Sequence, residues 1–438
     1  MRRVVRENAL CGLLAAAGCL AVAWLGLTGF AWTDYDMEAR GSVELLLGGH
    51  IHAFLQAAPA YGGSLIERAP FAFLPSLWGG GPLAVYRMLA LPSLLAAIAL
   101  AVWLVALMRT RGYSTLARAV TLGVCVANPV TLAALEMGHP EELLGACLCV
   151  AAVMLAAGAG AQEGRPLLAG ACLGLAIANK DWAILATGPV LLALPAQRRL
   201  PCLLAAGISA GAVLAPLLLS SSSRFVSDSH AIAGSRSAIF EPWQIWWFLG
   251  HHGALVRGLS GPKPGYRLGP AWIESHAHAL IVLVGFLLAA ALWLQTRAHR
   301  HVRASPRTAL LALALLLLLR CVLDTWDFGY YPLPFLLALL AWESTGDGRR
   351  PPVLALASTL LVWISFEWLP AHVSADAQAA FFLAWTLPLA GWMGLRLFWP
   401  TWQPGGLRLA GGHPFDNGRP LRAQEMTVSA LERPVSTS

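Results

Sequence analysis

Apolar runs of helical length, separated by short polar breaks, follow one another along almost the whole chain. A helix needs about twenty such residues to cross a bilayer. The candidate spans are 9–31, 83–108, 116–135, 140–160, 166–179, 182–197, 201–220, 276–296, 308–323, 330–343, 352–369 and 377–398. The pattern predicts an all-α, polytopic transmembrane helical bundle of about 11–13 spans. Two runs, 166–179 and 182–197, are short. They read either as tilted spans or as half-spans broken at Asn179-Lys180-Asp181.

Basic residues orient this ladder. With the N-terminus inside, the inner segments hold Arg2, Arg3 and Arg6; Arg109, Arg111 and Arg118; Arg165; Arg198 and Arg199; Arg297, Arg300, Arg303 and Arg307; and Arg349 and Arg350. Every predicted inner loop is then basic, as the positive-inside rule requires. Removing one span would put half of these arginines outside. The outer segments become 32–82, 136–139, 179–182, 221–275, 324–329 and 370–376. The transmembrane domain is expected over 1–402, with long outer loops at 32–82 and 221–275. The Gly, Pro, Arg and Ser rich stretch 403–438 is expected to be a disordered cytoplasmic tail. Both termini are expected in the cytoplasm, in a multi-pass protein of the plasma membrane.

Within the outer loops, 38–56 and 241–256 mix apolar and polar residues and are expected as helices lying along the membrane surface. Trp243, Trp246, Trp247 and Phe248 would sit at headgroup level, where amphipathic rings are favoured.

Composition agrees with this reading. Of 438 residues, 57% are hydrophobic and 12% charged, about half the charged share of a soluble domain. The net charge of +7 is carried by loop arginines, with no zinc-finger spacing and no basic aromatic stripe, so nucleic acid is not an expected partner. The eight cysteines all fall in apolar stretches without a CxxC pair. They read as small packing residues rather than a disulfide framework or metal site. Ala16-Ala17-Gly18-Cys19 faintly resembles a lipoprotein cleavage site but lacks the usual leucine three residues before Cys. The run from Ala9 to Trp32 is too long for an ordinary signal peptide and is taken as an uncleaved first span.

The remaining ionisable residues gather at the predicted outer face. Asp34, Asp36 and Glu38 follow the first span. Glu136, His139, Glu141 and Glu142 occupy the next outer turn, Lys180 and Asp181 the third, and Arg320, Asp324 and Asp327 the end of the span 308–323. Short turns hold these groups at one depth, and ionisable groups beside hydrocarbon are costly enough to be functional suspects. Asp34 and Asp36 are the candidate catalytic carboxylates, since an acid at the lipid–water boundary can serve as a general base. The plain alternative is that they end a helix and face water.

His139, Glu141, Lys180, Arg320 and Asp324 are candidate substrate or phosphate ligands. Each has an ordinary reading beside it. Glu141 and Glu142 suit the first turn of a helix through its dipole. Lys180 has Asp181 as its nearest partner. Arg320 stands one turn before Asp324, the spacing of an i,i+4 ion pair. Against these readings, an ammonium binds phosphate as a point charge and a guanidinium binds it bidentately. A His139–Glu142 metal pair is a weak alternative. The residues single out no cofactor with certainty, and a divalent metal near Asp34 and Asp36 stays open. Gly170-x-x-x-Gly174 is the spacing of close helix packing.

Several pieces recur in a known order: Thr33-Asp34-Tyr35-Asp36, then Asn128-Pro129 through Gly138-His139-Pro140-Glu141-Glu142. Gly174 through Asn179-Lys180, Trp246-Trp247-Phe248-Leu249-Gly250, and Asp324 through Tyr330-Tyr331-Pro332-Leu333-Pro334-Phe335 follow. In this order, and all at one face, they resemble the GT-C class of polyprenyl-phosphate-sugar-dependent glycosyltransferases. The match is to family 87-like enzymes of actinobacteria, which include α-mannosyltransferases. The resemblance runs from about residue 9 to 345 and implies a GT-C-like bundle with an extracytoplasmic active-site face. It implies a hexosyltransferase that takes a sugar, mannose favoured, from a polyprenyl-phosphate donor to a glycolipid or glycan acceptor. Asp34 would deprotonate the acceptor, with inversion at the anomeric carbon. One departure concerns acceptor recognition: Tyr61 is followed by Gly62-Gly63, and proline first appears at Pro70, where an aromatic–proline stretch is usual in the class. A transporter or flippase is the rival reading. It predicts inverted repeats and charges at mid-bilayer, neither of which the sequence displays.

Overall fold

The computed structural model describes residues 2–28, 34–158, 164–220, 223–233, 240–252, 257–258, 261–262, 265–298, 305–346 and 350–399. Nearly all of it is helical, and the strands are two short antiparallel pairs, His251–His252 with Arg267–Leu268 and Arg257–Gly258 with Gly261–Pro262. Among the described residues, nine helices are long and apolar enough to cross a bilayer: Leu10–Leu27, Pro82–Thr110, Thr115–Met137, Pro140–Ala157, Ala196–Leu219, Ala271–Gln295, Pro306–Leu323, Val353–Ala371 and Ala375–Phe398. Pro166–Asn179, Asp181–Ala193 and Leu333–Ser344 are shorter apolar helices. Each expected span thus corresponds to a helix, and the chain is a multi-pass membrane protein. The expected tail, 403–438, lies outside the described residues.

Local chemistry sets the breaks. Ser114, Asn128, Ser305 and Ser374 accept backbone N–H bonds at helix N-termini, satisfying donors the helix leaves open. Asn128-Pro129 divides the third span into Thr115–Val126 and Pro129–Met137. Proline fits the first helical position but cannot continue a preceding turn. Gly138, at φ 95°, closes the second piece, and Pro140 starts the next helix one residue later.

Burial separates central from peripheral helices. In Pro140–Ala157, 78% of the span is buried within the protein, against 17% in Ala196–Leu219. Pro306–Leu323 and Leu333–Ser344 are buried along most of their length. The peripheral helices keep large apolar side chains such as Leu204, Leu219, Leu283 and Phe286 on the outside, as expected where lipid is the solvent. Gly170 and Gly174 press against the backbone carbonyls of Cys202 and Ala206, the close approach that their spacing predicted.

The loops sort to two ends. Segments expected inside meet each other: Tyr113 Oη donates to the carbonyls of Glu343 (3.1 Å) and Gly346, Arg111 to that of Thr345, and Arg198 to that of Gly164 at 2.9 Å. Segments expected outside also meet. Arg224 donates to the Glu38 carbonyl at 3.1 Å, Glu241 N to the Thr325 carbonyl at 3.1 Å, and Arg267 pairs with Asp376 at 2.8 Å.

One expectation fails. Around 38–56 the chain is helical, as Tyr35–Ala39, Arg40–Leu47 and Ile51–Ala57. Of the second segment, the described part 241–252 is not a surface helix: it forms turns, a single 3-10 turn Trp247–Leu249 and the strand His251–His252. Its tryptophans point inward on several sides. Trp247 is fully buried and Trp243 nearly so. Their indole N–H groups, with that of Trp246, donate to Asp376 (2.8 Å), to the Ser365 carbonyl (2.9 Å) and to the Leu323 carbonyl (2.9 Å). A helix with one apolar face cannot satisfy three such partners, so tertiary bonding overrides the amphipathic pattern.

Candidate active site

The end of the bundle that carries the expected outer turns holds a chain of alternating charges. Asp34 precedes the π-helical turn Tyr35–Ala39. The Tyr35 ring lies on Tyr86, centroids 4.6 Å apart, and Tyr86 Oη donates to the Leu135 carbonyl at 2.5 Å. Gly138 packs against Tyr35 so tightly that a Cβ there would meet its backbone nitrogen at 2.6 Å. This contact brings the Asp34 loop against His139.

His139 bridges two acids. Its Nε2 is 3.0 Å from Asp34 Oδ2 and its Nδ1 2.7 Å from Glu141 Oε1. Glu141 is wholly buried, while Asp34 keeps 24% of its side chain exposed. Burial works against a charged imidazole here. The Glu141 carboxylate, aided by the hydrogen bonds that Asp34 and Glu141 accept, outweighs it, and the His139 pKa is raised to about 9. The imidazolium therefore donates at both nitrogens.

Behind Glu141 stands Arg68, at 3.0 Å from Oε2. Arg68 also donates to the carbonyls of Ser64 (3.2 Å) and Leu89 (3.4 Å). Asn179 ties the same elements together, donating to the Glu141 carbonyl (2.8 Å) and accepting from Ser64 Oγ (2.7 Å).

Lys180 sits where the Pro166–Asn179 helix gives way to extended backbone. Its Nζ reaches Glu142 Oε1 at 3.5 Å and Glu141 Oε1 at 3.6 Å, over the Tyr61 ring at 5.0 Å. Arg320 Nη1 lies 3.8 Å from Glu142 Oε2, its guanidinium flanked by Tyr331 (4.5 Å) and Trp182 (5.0 Å). Neither cation takes its sequence neighbour. Asp181 accepts from the Trp182 backbone N–H at 2.8 Å. Asp324 turns to His278 Nε2 at 3.3 Å and to the Trp326 N–H at 3.0 Å.

Asp324 and Asp327 have opposite environments. Burial raises the Asp324 pKa, but the His278 hydrogen bond and charge reverse that, and the net shift is downward. Asp327 is fully buried with no hydrogen-bond partner for either oxygen among the described residues. Burial, then the charge of Asp324, push it well above the ordinary range, which favours its neutral form.

The fold therefore joins Asp34, His139, Glu141, Lys180 and Arg320 in one network, and Asp324 neighbours it through Arg320. Asp36 is not brought in: it is 45% exposed and pairs with Arg40 at 2.7 Å. Asp34 and Asp36 thus face different partners, and among the described residues no group of three or more His, Cys, Asp or Glu side chains is arranged for a metal. Sequence reasoning overlooked Arg68, Ser64 and Trp182. Arg68 had a signal. It stands in a segment assigned outside, where the positive-inside rule makes an arginine an exception that needs a local partner. Ser64 and Trp182 had none, because their roles are contacts across the bundle.

Ionisable side chains gathered at one end of an apolar helical bundle are costly there and mark this network as the candidate site. The family model of glycosyltransferase family 87 matches residues 63–323, more than half of the chain, and the protein belongs to that family of glycosyltransferases. No curated protein and no solved structure matches the chain.

Proposed function

We propose that the protein transfers a sugar, mannose by preference, from a polyprenyl-phosphate donor to a glycolipid or polysaccharide acceptor at the outer face of the plasma membrane. Family membership supports glycosyl transfer, and the arginine-rich inner loops support the orientation, with both termini cytoplasmic. The observation that carries the donor and the mechanism is the connection of Asp34, through His139 and Glu141, to Lys180 and, by way of Glu142, to Arg320.

In this reading the acceptor hydroxyl attacks the anomeric carbon and its proton passes to Asp34. The bond from the anomeric carbon to the phosphate oxygen breaks, the electron pair goes to that oxygen, and the configuration inverts. His139 donates to Asp34 at 3.0 Å, which holds one carboxylate oxygen and leaves the other for the acceptor. Lys180 and Arg320 neutralise the charge that develops on the departing phosphate. Asp36 steadies the turn through Arg40, and Asp324 holds His278.

The test uses membranes carrying the protein, labelled polyprenyl-phosphate mannose and a glycolipid extract. Transfer is expected in the wild type, and Asp34→Asn is expected to lower it about a hundredfold or more. Full activity in Asp34→Asn removes the base assignment. No transfer from any polyprenyl-phosphate sugar removes the donor.

A further inference from the structure

The contacts in this network are not equally tight. His139–Glu141, His139–Asp34 and Arg68–Glu141 measure 2.7, 3.0 and 3.0 Å, near the ~2.7–2.9 Å of charge-assisted bonds. Around Glu142 the fit is slack. Its carboxylate is 3.5 Å from Lys180 Nζ and 3.8 Å from Arg320 Nη1. The Trp182 indole N–H, at 3.2 Å, donates to Oε1. Glu142 Oε2 is buried without a hydrogen-bond partner among the described residues. The hydrogen bond described for Arg320 is a long one, 3.4 Å to the Tyr331 carbonyl, although a guanidinium carries five donors. Two cations thus flank one acid that engages neither closely.

We infer that Glu142 is a built-in anion that tunes the Lys180–Arg320 site to a singly charged phosphodiester and limits its hold on the more highly charged phosphate monoester that transfer leaves behind. This rests on the donor chemistry proposed above. The sugar donor carries one negative charge at its phosphodiester. Cleavage leaves the bond's electron pair on the phosphate oxygen, while the acceptor proton goes to Asp34. The product is a monoester of charge about −1.5 to −2 at pH 7. Lys180, Arg320 and Glu142 sum to +1, which the donor neutralises and the product overshoots. At about 5 Å and an effective permittivity near 20, Glu142 offsets part of the pull of the two cations on that added charge, so product binding is roughly tenfold to a hundredfold weaker than the same site would give without it. Product release is a common limit on turnover, and this arrangement relieves it without loosening the donor.

The experiment uses the full-length protein in nanodiscs, polyprenyl-phosphate mannose as donor and polyprenyl phosphate as added inhibitor. Glu142→Gln keeps the volume and an oxygen for the Trp182 N–H. It is expected to lower the inhibition constant of polyprenyl phosphate at least tenfold relative to the donor KM, and to produce a burst of one turnover followed by slow release. The pH dependence separates this from a structural role. Between pH 5 and 7 the product gains its second charge, so its inhibition strengthens with pH more steeply in Glu142→Gln, whose site carries +2, than in the wild type, whose site carries +1. An unchanged ratio, or parallel pH profiles, overturns the inference and leaves the donor assignment standing. If the wild type transfers nothing from the donor, the assignment falls and the inference with it. Should Glu142→Gln fail to fold, Glu142→Asp, which draws the carboxylate back by one methylene, is expected to lower the ratio about two- to fivefold. No change there overturns the inference equally.

Discussion

Replacing His139 by glutamine removes the one group in the network whose charge responds to pH near neutrality, and the structure gives the size of the effect. The neighbouring carboxylates raise its pKa in the folded protein to about 9, from the ordinary 6.5. Folding therefore favours the charged imidazole, and that contribution is complete below about pH 6.5. It falls as pH rises and is lost above the folded value. A tenfold gain in proton affinity is worth about 1.4 kcal/mol, so the wild type gains about 3 kcal/mol at pH 6, about 2 kcal/mol at pH 7.5 and close to nothing at pH 10. The side chain is 6% exposed, so solvent screening removes little of this. The assay is unfolding of the full-length protein in bicelles at several pH values, read as the difference between wild type and His139→Gln. Glu67, whose pKa burial raises to about 8 despite the opposing Arg68 charge, titrates in the same window but cancels in that difference. A difference that stays constant from pH 6 to pH 9 refutes the assignment of a charged histidine between Asp34 and Glu141.

Arg68→Met should destabilise the protein by about 3 kcal/mol, the lower range for breaking a buried ion pair, because Glu141 keeps His139 and Lys180; bicelle unfolding at pH 7 measures it. Gly174→Val should cost about 3 kcal/mol or abolish folded protein, since a side chain there meets the Ala206 backbone; the yield of monodisperse protein and its melting temperature report the outcome. Asp327→Asn should change stability by less than about 1 kcal/mol at pH 7, because burial favours the neutral acid and an amide of the same shape is neutral too. A loss above about 3 kcal/mol in the same unfolding assay contradicts the preference for the neutral acid.

The sequence by itself determined the spans, their order and the two ends of the bundle. Length and apolarity set a bilayer-crossing helix regardless of its neighbours, and loop arginines sort sides by charge alone. Turn chemistry was equally local: Gly138-His139-Pro140 could be read as a helix boundary because positive φ and proline act on their own backbone. Gly170 and Gly174 announced a close helix contact, though not with which helix. Partnership was decided only in three dimensions. Lys180 and Arg320 had acids one and four residues away, yet both turned to Glu142. The backbone is extended at Lys180 (φ −154°, ψ 135°) and at Asp324 (φ −76°, ψ 140°), so the helical spacing that would have paired them ends there. Arg68 found Glu141 across the bundle, and Trp243, Trp246 and Trp247 left an amphipathic pattern to bond inward. Sequence spacing governs contacts within about one helical turn. Which faces meet beyond that depends on the rotation of each helix against the others, and only the packing of the whole bundle sets it.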